Sequence, residues 1–261
     1  RSRVRERRTH GSVRGLRREP LVYSTAITLW KFCNQVMANT SWANKHPGRC
    51  GGNQMKNGKI LAPLSISIII IILLQIALGV GNGIFSRMVP DSRFAGQMLT
   101  ICLMLVLTVV LVFYVVVFKQ RISFFPVKFS KGYIIATCLV GILYITAPAN
   151  YVEGFPAIMI LIYSSIVTPI YEELLFRGII WSLFEESTSN QITVFAWNVV
   201  LFTIWHIGYM VPNILSGNWN AVIWKLAAGL GYGVVLSLLR LKTKNCYATV
   251  LAHGVLNLFM I

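Results

Sequence analysis

The chain has 261 residues, 56% of them hydrophobic and only 12% charged, whereas a soluble domain carries about 25% charged residues. With a mean hydropathy of +0.66, that composition excludes an ordinary soluble domain and points to a protein held in lipid. The formal net charge of +16 is unevenly spread: residues 1–54 hold 11 Lys/Arg against 2 Asp/Glu, and residues 55–261 hold 13 against 6.

The opening RSRVRERRTHGSVRGLRREP has no apolar period, and Thr40 to Gly52 is polar with Trp, Gly and Pro. Met55-Lys56-Asn57-Gly58-Lys59 then leads at once into a long apolar run. The expectation is a native start at Met55, with residues 1–54 a tag, an upstream read-through or a gene-model error. A genuine disordered basic tail is the alternative. Because this tail precedes membrane spans, its expected partner is anionic lipid or nothing, and not nucleic acid.

From residue 60 the apolar runs come in lengths suited to crossing a bilayer, which takes about 20 residues per helix. They cover 60–80, 97–118, 132–148, 156–183, 192–211, 219–239 and 246–261. The predicted fold is all-α, a polytopic transmembrane helix bundle of about seven spans (six to eight), with no internal repeat. Residues 55–130 supply the N-terminal spans and 131–261 the core. Basic residues set the orientation. Lys56, Lys59, Lys119, Arg121, Lys128, Lys131, Arg240, Lys242 and Lys244 fall on one side; Arg87 and Arg93 fall on the other. The first side is predicted to be cytoplasmic, which puts the Met55 end inside. The loop at 184–191, on that same side, carries Glu185 and Glu186 and no Lys or Arg. Cys33, Cys50, Cys102, Cys138 and Cys246 form no metal-type spacing and no disulfide framework.

Ionisable side chains inside a span cost about 2.5–3.5 kcal/mol each on insertion scales. Here they cluster. The fourth run holds Glu172, Glu173 and Arg177, the fifth His206, and the last His253 with Asn257. Glu173 and Arg177 are one turn apart on one face, acid first, the better order for a pair. Glu172 is turned by about 100° from that face, so one glutamate is neutralised and the other left available. His253 and Asn257 share a face, and Phe202 sits one turn before His206. These side-chain types suit water activation: a carboxylate base, an imidazole to share the water, and imidazole and amide donors for an oxyanion. Taken singly, each is explained as well by packing. Glu173–Arg177 makes a structural pair, His206 a satisfied interior histidine, and His253–Asn257 interhelical glue. Together, on three spans, they are hard to explain as glue. HExxH, GxSxG, GxGxxG and Walker patterns are all missing from the sequence.

Glu172-Glu173-x-x-x-Arg177, Phe202-x-x-x-His206 and His253-x-x-x-Asn257 resemble the motifs of the CAAX-protease and bacteriocin-processing (CPBP, or Abi) family of intramembrane proteases. The resemblance covers roughly residues 130–261. It implies that Glu172 is the general base, that His206 shares its water, and that His253 and Asn257 bind the water or the oxyanion. Glu173, held by Arg177, would shape the site. It leaves two mechanisms open. Glu172, His206 and His253 would make a His₂Glu zinc set; the expectation here is that no metal is obligatory.

The predicted activity is hydrolysis of a peptide bond in a membrane-embedded or lipid-anchored peptide. The expected location is the plasma membrane of a bacterium. Bacteriocin immunity, peptide maturation or processing of a membrane regulator is expected ahead of CAAX processing proper. The alternatives are a proton- or ion-coupled transporter and a catalytically silent membrane scaffold. One conflict remains in the sequence. On the run boundaries above, Glu172 and His253 lie toward the cytoplasmic side and His206 nearer the outer end.

Overall fold

The computed structural model describes residues 60–88, 92–147 and 154–259, all within one compact unit, Gly51–Ile261. The expectations for the tail 1–54, for Met55, Lys56 and Lys59, for Cys33 and Cys50, and for the ends of the third and last runs lie outside the described residues. Among the described residues there are seven helices of more than one turn and no strand.

In chain order they are α1 (Leu61–Phe85), α2 (Arg93–Val117), α3 (Lys131–Ile145), α4 (Phe155–Ser187), α5 (Gln191–Leu215), α6 (Trp219–Thr243) and α7 (Cys246–Leu258). Each coincides with one apolar run. Five are long and apolar enough to cross a membrane: α1, α2, α4, α5 and α6. The helices α3, of 15 residues, and α7, of 13, are apolar but shorter, about 22 and 20 Å along their axes. The protein is therefore an all-α, multi-pass membrane bundle.

Local signals explain the helix ends. Ser92, Asn190, Asn218 and Asn245 accept N–H bonds at the starts of α2, α5, α6 and α7, the usual work of N-cap residues. Lys244 takes a left-handed conformation (φ 59°) and ends α6. Asn245 caps α7 directly behind it, so the chain reverses within two residues. Much of the bundle's outer surface is apolar: Val109 is 68% exposed, Ile69 55% and Trp224 71%. In a membrane protein that surface faces lipid.

The core sits between α4, α5, α6 and α7, and α4 organises it. This helix is interrupted by two π-helical stretches, Tyr163–Val167 and Leu174–Ile180, on either side of Glu172-Glu173. A π turn widens the hydrogen-bond ladder, and such turns gather at functional sites. Carbonyls in and beside these stretches accept bonds from other helices. Ser164 accepts from Asn257 Nδ2 at 2.7 Å and Ser165 from the Tyr144 hydroxyl at 2.9 Å. Phe176 accepts from Asn198 Nδ2 at 2.6 Å and Arg177 from Arg240 Nε at 3.0 Å. Four side chains on four other helices thus fix α4 through its backbone. The segment after α2 supports the start of α7: the N–H groups of Cys246 and Tyr247 donate to the carbonyls of Ser123 and Phe124, at 3.1 and 2.8 Å. Cys102 and Cys138 face outward and Cys246 is buried, all three unpaired.

Candidate active site

The conflict in depth is resolved by the observed helix lengths. The fourth and fifth runs extend past the boundaries drawn from hydropathy, to Ser187 and from Gln191. Glu172 and His206 each lie 15 residues from their short connection, about 22 Å along their helices. They stand at one depth. The expectation that His206 lies nearer the outer end is corrected: polar residues at helix ends hide helical turns from a hydropathy window.

At that depth the polar residues are almost completely buried. Glu173 and Arg177 are 0% exposed, Glu172 and His253 2%, and His206 8%. Arg177 Nη1 donates to Glu173 Oε1 at 3.0 Å. The same carboxylate oxygen lies 2.9 Å from His253 Nδ1. Glu172 takes a different partner, the indole N–H of Trp205, at 2.9 Å from its Oε1. Its other oxygen lies 3.9 Å from His253 Nε2. The two adjacent glutamates thus do different things. Glu173 is locked into an ion pair and orients an imidazole, while Glu172 holds one oxygen toward the second nitrogen of that imidazole.

The tautomers follow from the partners. A carbonyl oxygen only accepts, so His206 Nδ1, 2.8 Å from the Phe202 carbonyl, carries the proton. His253 Nδ1 likewise donates to Glu173. In both rings Nε2 is the nitrogen left to meet another partner. Phe202 packs between these groups. Its ring makes edge contacts with His206 (centroids 5.0 Å) and His253 (5.9 Å), and the Arg177 guanidinium lies 4.2 Å from its centroid. Arg177 also donates to the carbonyl of Gly233, at 3.3 Å.

Glu172, His206, His253 and Asn257 all line a single cavity of ≈ 340 Å³. Asn257 reaches its wall while one amide N–H holds the Ser164 carbonyl. Glu173 and Arg177 lie behind the wall, and so does Phe202. Zinc does not fit these side chains as they stand. Among the described residues, no three His, Cys, Asp or Glu side chains converge at metal-ligand spacing, and Glu173 is spent on Arg177 and His253.

Trp205 and the α6 wall, with Gly229 and Tyr232, were not singled out in the sequence. Trp205 carried a usable signal, since a Trp inside a span needs an acceptor for its N–H. Gly229 had none: a Cβ there would stand 3.1 Å from His206 Nδ1, a closeness set by tertiary packing.

A buried acid–histidine cluster inside a multi-pass helix bundle is the kind of centre an intramembrane peptidase uses. Residues 154–259 match the family model described as type II CAAX prenyl endopeptidase Rce1-like. Over this segment the chain is similar to the CAAX-protease (CPBP/Abi) family, the one its three motifs resemble. The match begins at the start of α4, so α1 to α3 lie outside it. No curated protein and no solved structure matches the chain.

Proposed function

We propose that the protein is an intramembrane endopeptidase that hydrolyses a peptide bond with a water activated by Glu172. The observation that carries this reading is the division of labour between adjacent glutamates: Glu173 orients His253, whose Nε2 lies 3.9 Å from the remaining oxygen of Glu172. A water between Glu172, His206 and His253 can donate one hydrogen to the carboxylate and the other to an imidazole Nε2. Glu172 takes its proton as the water oxygen bonds to the scissile carbonyl carbon. The carbonyl π electrons move onto oxygen, and donors on the wall, the Asn257 amide among them, stabilise that charge. Collapse breaks the C–N bond, and Glu172 returns the proton to the leaving nitrogen.

The substrate class follows from burial: the bond must reach a cavity within the bilayer, so the peptide is membrane-embedded or lipid-anchored. The name of the matching family also points to a lipid-anchored chain. In this reading α3 and α7 complete a seven-span bundle in a bacterial plasma membrane, with the Met55 end inside.

The test is cleavage of an internally quenched peptide by the purified protein in detergent. Loss of a general base costs roughly 10²–10⁴ in rate, so Glu172→Gln should lose that much kcat while eluting as the wild type does. His206→Ala and His253→Ala should fall similarly. Unchanged activity in all three would sink the assignment.

A further inference from the structure

The cavity's fourth wall is a face of α6 that belongs to none of the three motifs. Lys225, Ala228, Gly229 and Tyr232 line it, and their spacing of three, four and seven residues places them in one row along the helix. The row is graded. Tyr232 stands at the depth of the acid–histidine cluster, its ring edge-on to His253 with centroids 5.6 Å apart. Its hydroxyl is buried without a hydrogen-bond partner among the described residues. Ala228 is small, so a peptide backbone can lie close to the helix there, and Gly229 leaves room for the His206 ring. Lys225 is one turn further out, exposed at the rim.

Lys225 has no carboxylate within 4.0 Å among the described residues. A cation in a span is costly, and its default reading is functional. Its neighbours Ile223 and Trp224 are 64% and 71% exposed on the outer surface, whereas Lys225 lines the cavity. It is the only Lys or Arg among the residues lining that cavity.

We infer that this face of α6 is the substrate-reading element. Lys225 pairs with a carboxylate of the peptide, and the Tyr232 hydroxyl donates to a peptide carbonyl near the bond to be cleaved. The spacing sets the register. Lys225 and Gly229 are about 6 Å apart along the axis, and His206 rests against Gly229. An extended peptide advances about 3.3–3.6 Å per residue. The carboxylate therefore lies about two residues from the scissile bond. It is either the peptide's own C-terminus or an acidic side chain at that distance. This inference rests on the peptidase reading, so its test is read by binding and not by turnover.

The probe is an N-terminally fluorescent apolar octapeptide titrated into full-length Glu172→Gln protein in detergent, in three forms: a free C-terminal carboxylate, a C-terminal amide, and an amide with one Glu two residues from the end. At least one anionic form should bind about tenfold or more tighter than the plain amide. Which one identifies the source of the carboxylate. Adding Lys225→Met should bring that ratio to within about twofold of one, and Lys225→Arg should retain it. A lysine that only reached for the membrane surface would leave the ratio untouched in Lys225→Met. General damage to the fold would weaken all three forms together and preserve it. Tyr232→Phe should weaken all forms without changing the ratio. A wild-type ratio near one, an unchanged ratio in Lys225→Met, or no saturable binding of any form overturns the inference. A protein that discriminates the forms but never cleaves them overturns the peptidase reading alone.

Discussion

Replacing Arg177 by Leu tests whether the Glu173–Arg177 pair is a charge balance or mere packing. Both partners are fully buried and joined at 3.0 Å. Glu173 would be left with the His253 ring, 2.9 Å away, and the Thr249 hydroxyl as its polar neighbours. Removing one partner of such a pair costs about 3–5 kcal/mol, because the other charge stays buried and uncompensated. For a chain of this size about 2–4 °C of melting temperature goes with each kcal/mol, so the midpoint should fall by roughly 6–20 °C. The companion variant Glu173→Gln/Arg177→Leu removes the stranded charge as well. Its amide oxygen can still accept from His253 Nδ1. The double variant should therefore recover more than half of the lost stability while staying poorly active, since His253 Nδ1 no longer donates to a carboxylate. Thermal unfolding of the purified proteins in one detergent, followed by tryptophan fluorescence, gives the order: wild type, then double, then single. A double variant no more stable than the single one would refute the reasoning, because Glu173 would then not be carrying a charge that needs Arg177.

Trp205→Phe keeps the ring but removes the donor at 2.9 Å from Glu172 Oε1. A hydrogen bond to a charged group is worth about 1.5–3 kcal/mol, so kcat/KM should drop roughly ten- to a hundredfold with little change in unfolding midpoint; an unaltered rate would show that Glu172 is oriented by something else. Gly254→Ala puts a Cβ into the Tyr144 hydroxyl and the Ser165 carbonyl, and overpacking costs about 1–3 kcal/mol. Because Gly254 follows His253, stability and activity should fall together, and Tyr144→Phe in the same chain should recover part of both. Prolonged exposure to a strong chelator should leave peptide cleavage unchanged, because no three donor side chains among the described residues meet at ligand spacing. Activity lost to the chelator and restored by Zn²⁺ would overturn that.

The helices were legible because apolar runs are long and every helix in lipid must close its own backbone ladder. Seven runs gave seven helices. Their ends were not legible. Ser187 and Gln191 close α4 and α5 beyond the hydropathy boundaries, since Glu185, Glu186 and Asn190 read as loop in a window average. The Glu173–Arg177 pair followed from spacing alone, because residues four apart on a helix must meet. What could not be read was contact between helices. Trp205 on Glu172, Phe202 between two histidines, and Arg240 on the Arg177 carbonyl all depend on which faces meet. The π turns in α4 were equally hidden. They depend on partners such as Asn198 and Tyr144 that are near only in the folded bundle.

The direction of the cavity carries a topological consequence. From the acid–histidine cluster its walls run toward one end of the bundle only: through Thr168 and Ser164 on α4, Tyr209 and Met210 on α5, and Asn257 on α7, with Lys225 outermost on α6. That end is where α4 and α6 begin. The opposite end carries Lys119, Arg121, Lys128, Lys131, Arg240, Lys242 and Lys244. If basic loops are cytoplasmic, substrate enters from the other compartment or from the outer leaflet. In a variant with all five native cysteines replaced, Lys128→Cys and Lys225→Cys should react on opposite sides of sealed vesicles with a membrane-impermeant thiol reagent. Labelling of both from one side would remove the topological argument. Labelling of Lys225→Cys alone from the cytoplasmic face would keep the cavity's direction and invert the protein, making cytoplasmic chains its substrates.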